Sequence, residues 1–141
     1  MANKPYAVEW LTKAHHDLEG ARLLVHAGHY TDTISYVLHQ SLEKTLKAIL
    51  AYDNKPILKT HNLVELYELL SDKIELDDEK VYLLSIATTY QTKQRYPVVH
   101  KKLPSKDEIK EVLSFSEYMF DLIIQTLHLS KNTIINQDES I

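Results

Sequence analysis

Cysteine is absent from the 141 residues, which excludes disulfides, thiolate metal sites and cysteine nucleophiles. Glycine occurs only at Gly20 and Gly28. Neither lies in a motif able to cradle a phosphate, and so few glycines argue against a turn-rich all-β fold. No apolar run approaches the length needed to span a bilayer. The start, MANKPYAVEW, lacks the apolar stretch of a signal peptide. These absences fit a cytoplasmic protein that does not engage a membrane. The length fits one domain with a real core. Serine nucleophile chemistry lacks its strand-to-helix elbow motif.

What is present is mostly helix former. Hydrophobic content of 44% and charged content of 26% are ordinary for a globular chain. Net charge is -4, which argues against a general DNA coat. The charge is uneven, however. Residues 93–110 hold six Lys/Arg against two acids, and such a basic stretch can meet a phosphate even in an acidic protein.

Apolar residues recur at helical spacing almost throughout. A first helix is expected over about Pro5–Ala27, with Trp10, Ala14, Leu18, Ala21 and Val25 on one face and Gly28 as its stop. A second should start at a Thr31 or Asp32 cap and run to about Tyr52. Asn62 with Glu65 predicts a short helix carrying Leu63, Leu66 and Leu69. Asp77 is expected to cap a fourth, which fades near Tyr90. Pro97 and Pro104 break the pattern between. Ser105 with Glu108 reads as a capping box opening a last helix to about Leu129. The expected architecture is an all-α, antiparallel up-and-down bundle of four main helices plus a short one. It occupies residues 1–131, with 132–141 as a frayed tail.

Three groups of side chains could carry chemistry. Tyr36, Gln40, Glu43, Lys44 and Lys47 share a face of the second helix, which is either a solvated surface or a polar cluster reaching Asp17. His39 and Glu43 stand four apart, a geometry open to two metal ligands, but no recognised zinc spacing occurs and no metal or cofactor is expected. Arg95 and His100 flank Pro97, with Lys101 and Lys102 following. Arginine offers a fixed forked cation suited to phosphate, and histidine takes and gives protons near neutrality. The pair is either a solvent-facing turn or a metal-independent RNA-cleaving site. One histidine does not easily fill both proton-transfer roles, and a symmetric dimer would bring two pairs to one cleft.

The order Trp10-x3-Ala14-x2-Asp17-Leu18-x2-Ala21, Tyr30, His39-Gln40-x2-Glu43-Lys44-x2-Lys47-Ala48, His61-x-Leu63 and Arg95-Tyr96-Pro97 resembles the HEPN domain of prokaryotes, from about residue 7 to 127. The resemblance implies a four-helix bundle paired into dimers. It also implies a toxin–antitoxin-like partnership with a minimal nucleotidyltransferase. Many such domains carry Arg-x4-6-His for metal-independent RNA cleavage, and Arg95 and His100 match that spacing. The expected RNA- or nucleotide-binding residues are Lys93, Tyr96, Lys101, Lys102, Gln40, Lys44 and Lys47. Lys102 stands where one branch of the family has a tyrosine that receives AMP, so no such modification is expected there. The alternative is a non-catalytic module that binds a nucleotide or the nucleotidyltransferase.

Overall fold

The computed structural model describes residues 2–91 and 102–136. Among these, the chain forms α1 (Lys4–His26), α2 (Thr31–Tyr52), α3 (Leu63–Leu69), α4 (Asp78–Thr88), α5 (Lys106–Thr126) and α6 (Lys131–Ile135). No strand occurs among the described residues. None of these helices is long and apolar enough to cross a membrane. The all-helical bundle expected from periodicity is therefore present.

The helix ends follow local chemistry. Asn3 caps α1 by accepting from the Tyr6 amide at 3.2 Å, and its own amide donates to the carbonyl of Tyr52 at 2.7 Å. That second bond ties the start of α1 to the end of α2. Gly28 closes α1 at φ +69, a backbone state that a side chain would strain. Its neighbour His29 donates to the Leu24 carbonyl at 3.0 Å, so the last turn leaves fewer orphan acceptors. Asn62 and Asp77 cap α3 and α4 as expected, accepting from the amides of Glu65 and Lys80 at 3.0 and 2.9 Å. Thr31 and Asp32 do not cap α2. They lie inside its first turn, and Tyr30 holds the cap position without a side-chain bond. Only half of the Ser105 capping box forms. Ser105 accepts from the Glu108 amide at 3.0 Å, but the Glu108 carboxylate turns to the Tyr90 hydroxyl at 2.5 Å.

α2 is the central element. Fourteen of its 22 residues are buried, and it packs against α1, α5, α3 and α4. α1 lies along it through Ala7, Leu11, Ala14, Leu18 and Ala21. The three alanines allow close approach, and the Ser41 hydroxyl reaches the Ala14 carbonyl at 2.9 Å. The α1 stripe differs from the expected one at its start: Ala7 and Leu11 are buried, whereas Trp10 and Val25 are only partly so. Likewise Leu70 replaces the expected Leu69 in the core beside α3, and Leu69 is exposed. The stretch read as tail from residue 132 begins inside α6, which is capped by Ser130, buries Ile134 and packs on α1.

Replacing Leu46, fully buried on the central helix, by alanine should cost about 2–5 kcal/mol of folding free energy. Leu69→Ala, on the exposed side of α3, should stay within about 0.5 kcal/mol of wild type. Urea unfolding of both variants checks this.

Candidate functional site

The polar face of α2 is not a solvated surface. Glu43 and Lys47 are only 7% and 5% exposed, and His39 is fully buried. One helical turn separates each from the next, so the three line up along one flank of α2. Burying an ion here is costly unless its partners are in place. They are. Lys47 Nζ donates to Glu43 Oε2 at 3.1 Å. The other oxygen, Oε1, accepts from His61 Nδ1 at 2.7 Å. Because an ionised carboxylate only accepts, His61 carries its proton on Nδ1 in this bond. Its Nε2 lies on the other edge of the ring, on a side chain that is 54% exposed.

His61 is held a second time through its backbone. Its carbonyl lies 2.8 Å from His39 Nε2. A carbonyl cannot donate, so His39 is the Nε2–H tautomer. Its Nδ1 is consequently a buried lone pair with no hydrogen-bond partner among the described residues, 3.9 Å from Glu43 Oε1. α2 thus grips one residue of the α2–α3 connection at both its main chain and its ring. The gripped connection continues into the Asn62 cap of α3, and the Leu63 amide donates to the Thr88 hydroxyl on α4 at 3.1 Å.

Two further α2 side chains extend the network. Lys44 Nζ meets Asp17 Oδ2 of α1 at 2.6 Å, which is the cluster with Asp17 that the sequence suggested. Gln40 Nε2 donates to Gln91 Oε1 at 3.2 Å. Gln91 is buried and is the last described residue before the basic segment. Tyr90 beside it is anchored to Glu108 of α5. Burial, reinforced by that carboxylate, pushes the Tyr90 hydroxyl far above its ordinary range, so it remains a neutral donor.

The expected site residues divide accordingly. Gln40, Lys44 and Lys47 come together on α2, each engaged by another side chain. Lys47 is turned into the bundle and is not an outward cation. Lys102 is exposed, at the point where the described chain resumes. Lys93, Arg95, Tyr96, His100 and Lys101 lie outside the described residues. His39 and Glu43 both turn to His61 in this structure, His39 through the His61 carbonyl and Glu43 through the ring. No group of three candidate metal ligands occurs among the described residues. The role of His61 was missed. Its signal was the His61-x-Leu63 element of the family resemblance, which did not point to Glu43, 18 residues away.

Glu43→Gln leaves the Lys47 ammonium buried without its anion and should destabilise the fold by about 3–5 kcal/mol. Adding Lys47→Met should recover most of that loss in urea unfolding. Stability should also depend on pH through His39. Burial is the main cause holding the His39 pKa below the ordinary imidazole value, helped by the charges of Lys47 and His61 and opposed by the His61 carbonyl and Glu43. The unfolded chain therefore takes up a proton near pH 6.5 that the native state still refuses. Stability is lost as pH falls from that value toward the lower native one. His39→Gln, which keeps a donor for the carbonyl but does not titrate, should lose less stability than wild type between about pH 7.5 and 5.5.

The sequence model of the HEPN domain matches residues 7–127. No curated protein matches significantly. Among solved structures, the fold is similar to TT1696 from Thermus thermophilus, with a TM-score of 0.74 and 21% identity over 85% of this chain and 97% of that one. It is also similar to ST0689, described as an archaeal HEPN homologue, with a TM-score of 0.66 and 17% identity over 86% of this chain and 97% of that one. At these identities the two structures speak to fold alone. The match across residues 7–127 carries the assignment: the chain belongs to the HEPN domain family.

Proposed function

We propose that this protein is a metal-independent endoribonuclease that uses Arg95 and His100, working as a homodimer in a toxin–antitoxin-like pair with a minimal nucleotidyltransferase. The observation that carries this reading is the Arg-x4-His spacing inside a basic segment of an otherwise acidic HEPN chain. The anchoring of Gln91 supports it. Gln91, bonded to Gln40 of α2, is the last described residue before the stretch of sequence that holds Arg95 and His100. Arg95 would stabilise the charge that develops on the phosphate. His100 would transfer a proton. Lys93, Lys101 and Lys102 would hold the RNA backbone, with Tyr96 offering a ring on which a base can stack.

The non-catalytic reading, a module docking a nucleotide or the nucleotidyltransferase on Gln40, Lys44 and Lys47, has less support. All three side chains are engaged within the fold. A phosphate would have to displace Asp17 or Glu43 to reach either lysine.

The test is cleavage of total RNA and tRNA by purified protein in EDTA. Specific fragments should form, should vanish in Arg95→Ala and His100→Ala, and should diminish steeply between about 50 and 200 mM salt. Saturable nucleotide or nucleotidyltransferase binding without any cleavage would instead favour the docking module.

A further inference from the structure

We propose that the turn between α1 and α2, together with the start of α5, is a docking surface for single-stranded RNA, with Tyr30 stacking on a base and Lys106 and Lys110 holding phosphates. This rests on the RNA reading above and deepens it by naming where a strand is held. It is read out by binding rather than by cleavage.

Three observations converge on this face. The first is an aromatic side chain where folding does not favour one. Tyr30 holds the cap position of α2 without a side-chain bond, a place where serine, threonine, asparagine or aspartate would stabilise the helix. It is 73% exposed. Its ring meets that of His29 edge-on, with centroids 5.3 Å apart. A ring so exposed offers a face on which a base can stack.

The second is positive charge left without a partner. Lys44, Lys47, Lys73, Lys80 and Lys131 each have a carboxylate within reach. Lys106 and Lys110 are exposed and have none among the described residues. The acids near them are engaged or turned aside. Glu108 takes the Tyr90 hydroxyl, and Asp32 takes the Thr33 amide. Asp107 and Glu111 each follow a lysine by one residue, so they stand on a different side of the helix.

The third is placement. Lys106 and Lys110 stand one turn apart on α5 and line one small cleft with Gly28, His29 and Thr31. His29 and Thr31 flank Tyr30, so the cationic and aromatic parts adjoin. Lysines beside an exposed ring hold a single strand without reading its sequence, the charges meeting the backbone and the ring meeting a base. A duplex keeps its bases stacked on one another and offers none to Tyr30. An acidic protein surface would use the lysines but has no need of the ring.

The experiment measures binding by fluorescence anisotropy, with a labelled, unstructured RNA of about twelve nucleotides, a length such a surface can cover. Its sugars are 2′-O-methylated, which removes the attacking hydroxyl and keeps the probe intact. Tyr30→Ser supplies a cap, so it should unfold in urea at or above the wild-type midpoint, yet bind on the order of 10-fold more weakly. Tyr30→Phe should keep wild-type affinity. Lys106→Gln with Lys110→Gln should reduce the slope of log affinity against log salt by about 1.4, from two phosphate contacts at about 0.7 each. Lys13→Gln with Lys59→Gln makes the same charge change at exposed lysines elsewhere and should bind as wild type. Wild-type affinity in Tyr30→Ser, an equal loss in both lysine doubles, or no saturable binding at about 100 μM protein in low salt would overturn the surface. The two readings fail separately. Binding that depends on Tyr30, in a protein that cuts no RNA, keeps the surface and removes the endoribonuclease reading. Cleavage that depends on Arg95, with wild-type affinity in Tyr30→Ser, does the reverse.

Discussion

The carboxylate of Glu43 is the constraint on which the polar half of this structure depends. It sits on the most buried helix of the bundle, where an unpaired charge would be intolerable. Its two oxygens divide the work. One neutralises Lys47 within α2, and the other reaches out of the helix to His61. The first bond makes the charge tolerable in the core. The second projects its influence to the surface, because His61 is half exposed while Glu43 is not. A single buried anion thus links core stability to the orientation of one surface ring.

Around that anion, α2 organises the rest of the polar structure. Successive turns of the helix contribute ties: Gln40 to Gln91, Lys44 to Asp17, and His39 to the His61 carbonyl. These ties join α2 to α1, to the α2–α3 connection and to the end of α4. The apolar side of the same helix carries Leu38, Leu42, Leu46 and Ile49, all essentially inaccessible. Hydrophobic burial supplies the non-directional drive, and the polar ties set which connection sits where. Among the described residues, the buried and unpartnered Nδ1 of His39 is the cost left visible in this network. It is tolerated because the other nitrogen of the same ring holds His61.

Much of the fold was legible in the sequence, because helices announce themselves locally. Asn62, Asp77 and Ser105 cap where side-chain chemistry said they should. Gly28 stops α1 for a reason intrinsic to its backbone. The errors came where two local rules competed. Thr31 and Asp32 are both good caps, yet α2 already begins at Thr31, with Tyr30 in the cap position and no side-chain cap bond. Trp10 fitted the core face by its spacing to Ala14, but Ala7 and Leu11 take the buried line at the start of α1 and Trp10 packs only partly against the core. Glu108 fits the capping box, but a buried tyrosine hydroxyl competes for its carboxylate. The site was less legible. Lys47 and Glu43 looked like a surface pair because spacing alone does not say which flank of a helix is covered. Only the arrival of residues 61–63 over that flank converts the pair into a buried network. That arrival depends on tertiary packing, which no local pattern encodes.

The most direct test of this account is the tautomeric state of the two clamped imidazoles, read from long-range nitrogen–proton couplings in the ¹⁵N-labelled protein at about pH 8, where ordinary imidazoles are neutral. With Glu43 and the His61 carbonyl acting as acceptors, His61 should be the Nδ1–H form and His39 the Nε2–H form. In addition, the His61 Nδ1 proton should be protected enough to observe directly. His61 as the ordinary Nε2–H form of a free surface histidine, with no protected ring proton, would contradict the clamp and everything built upon it.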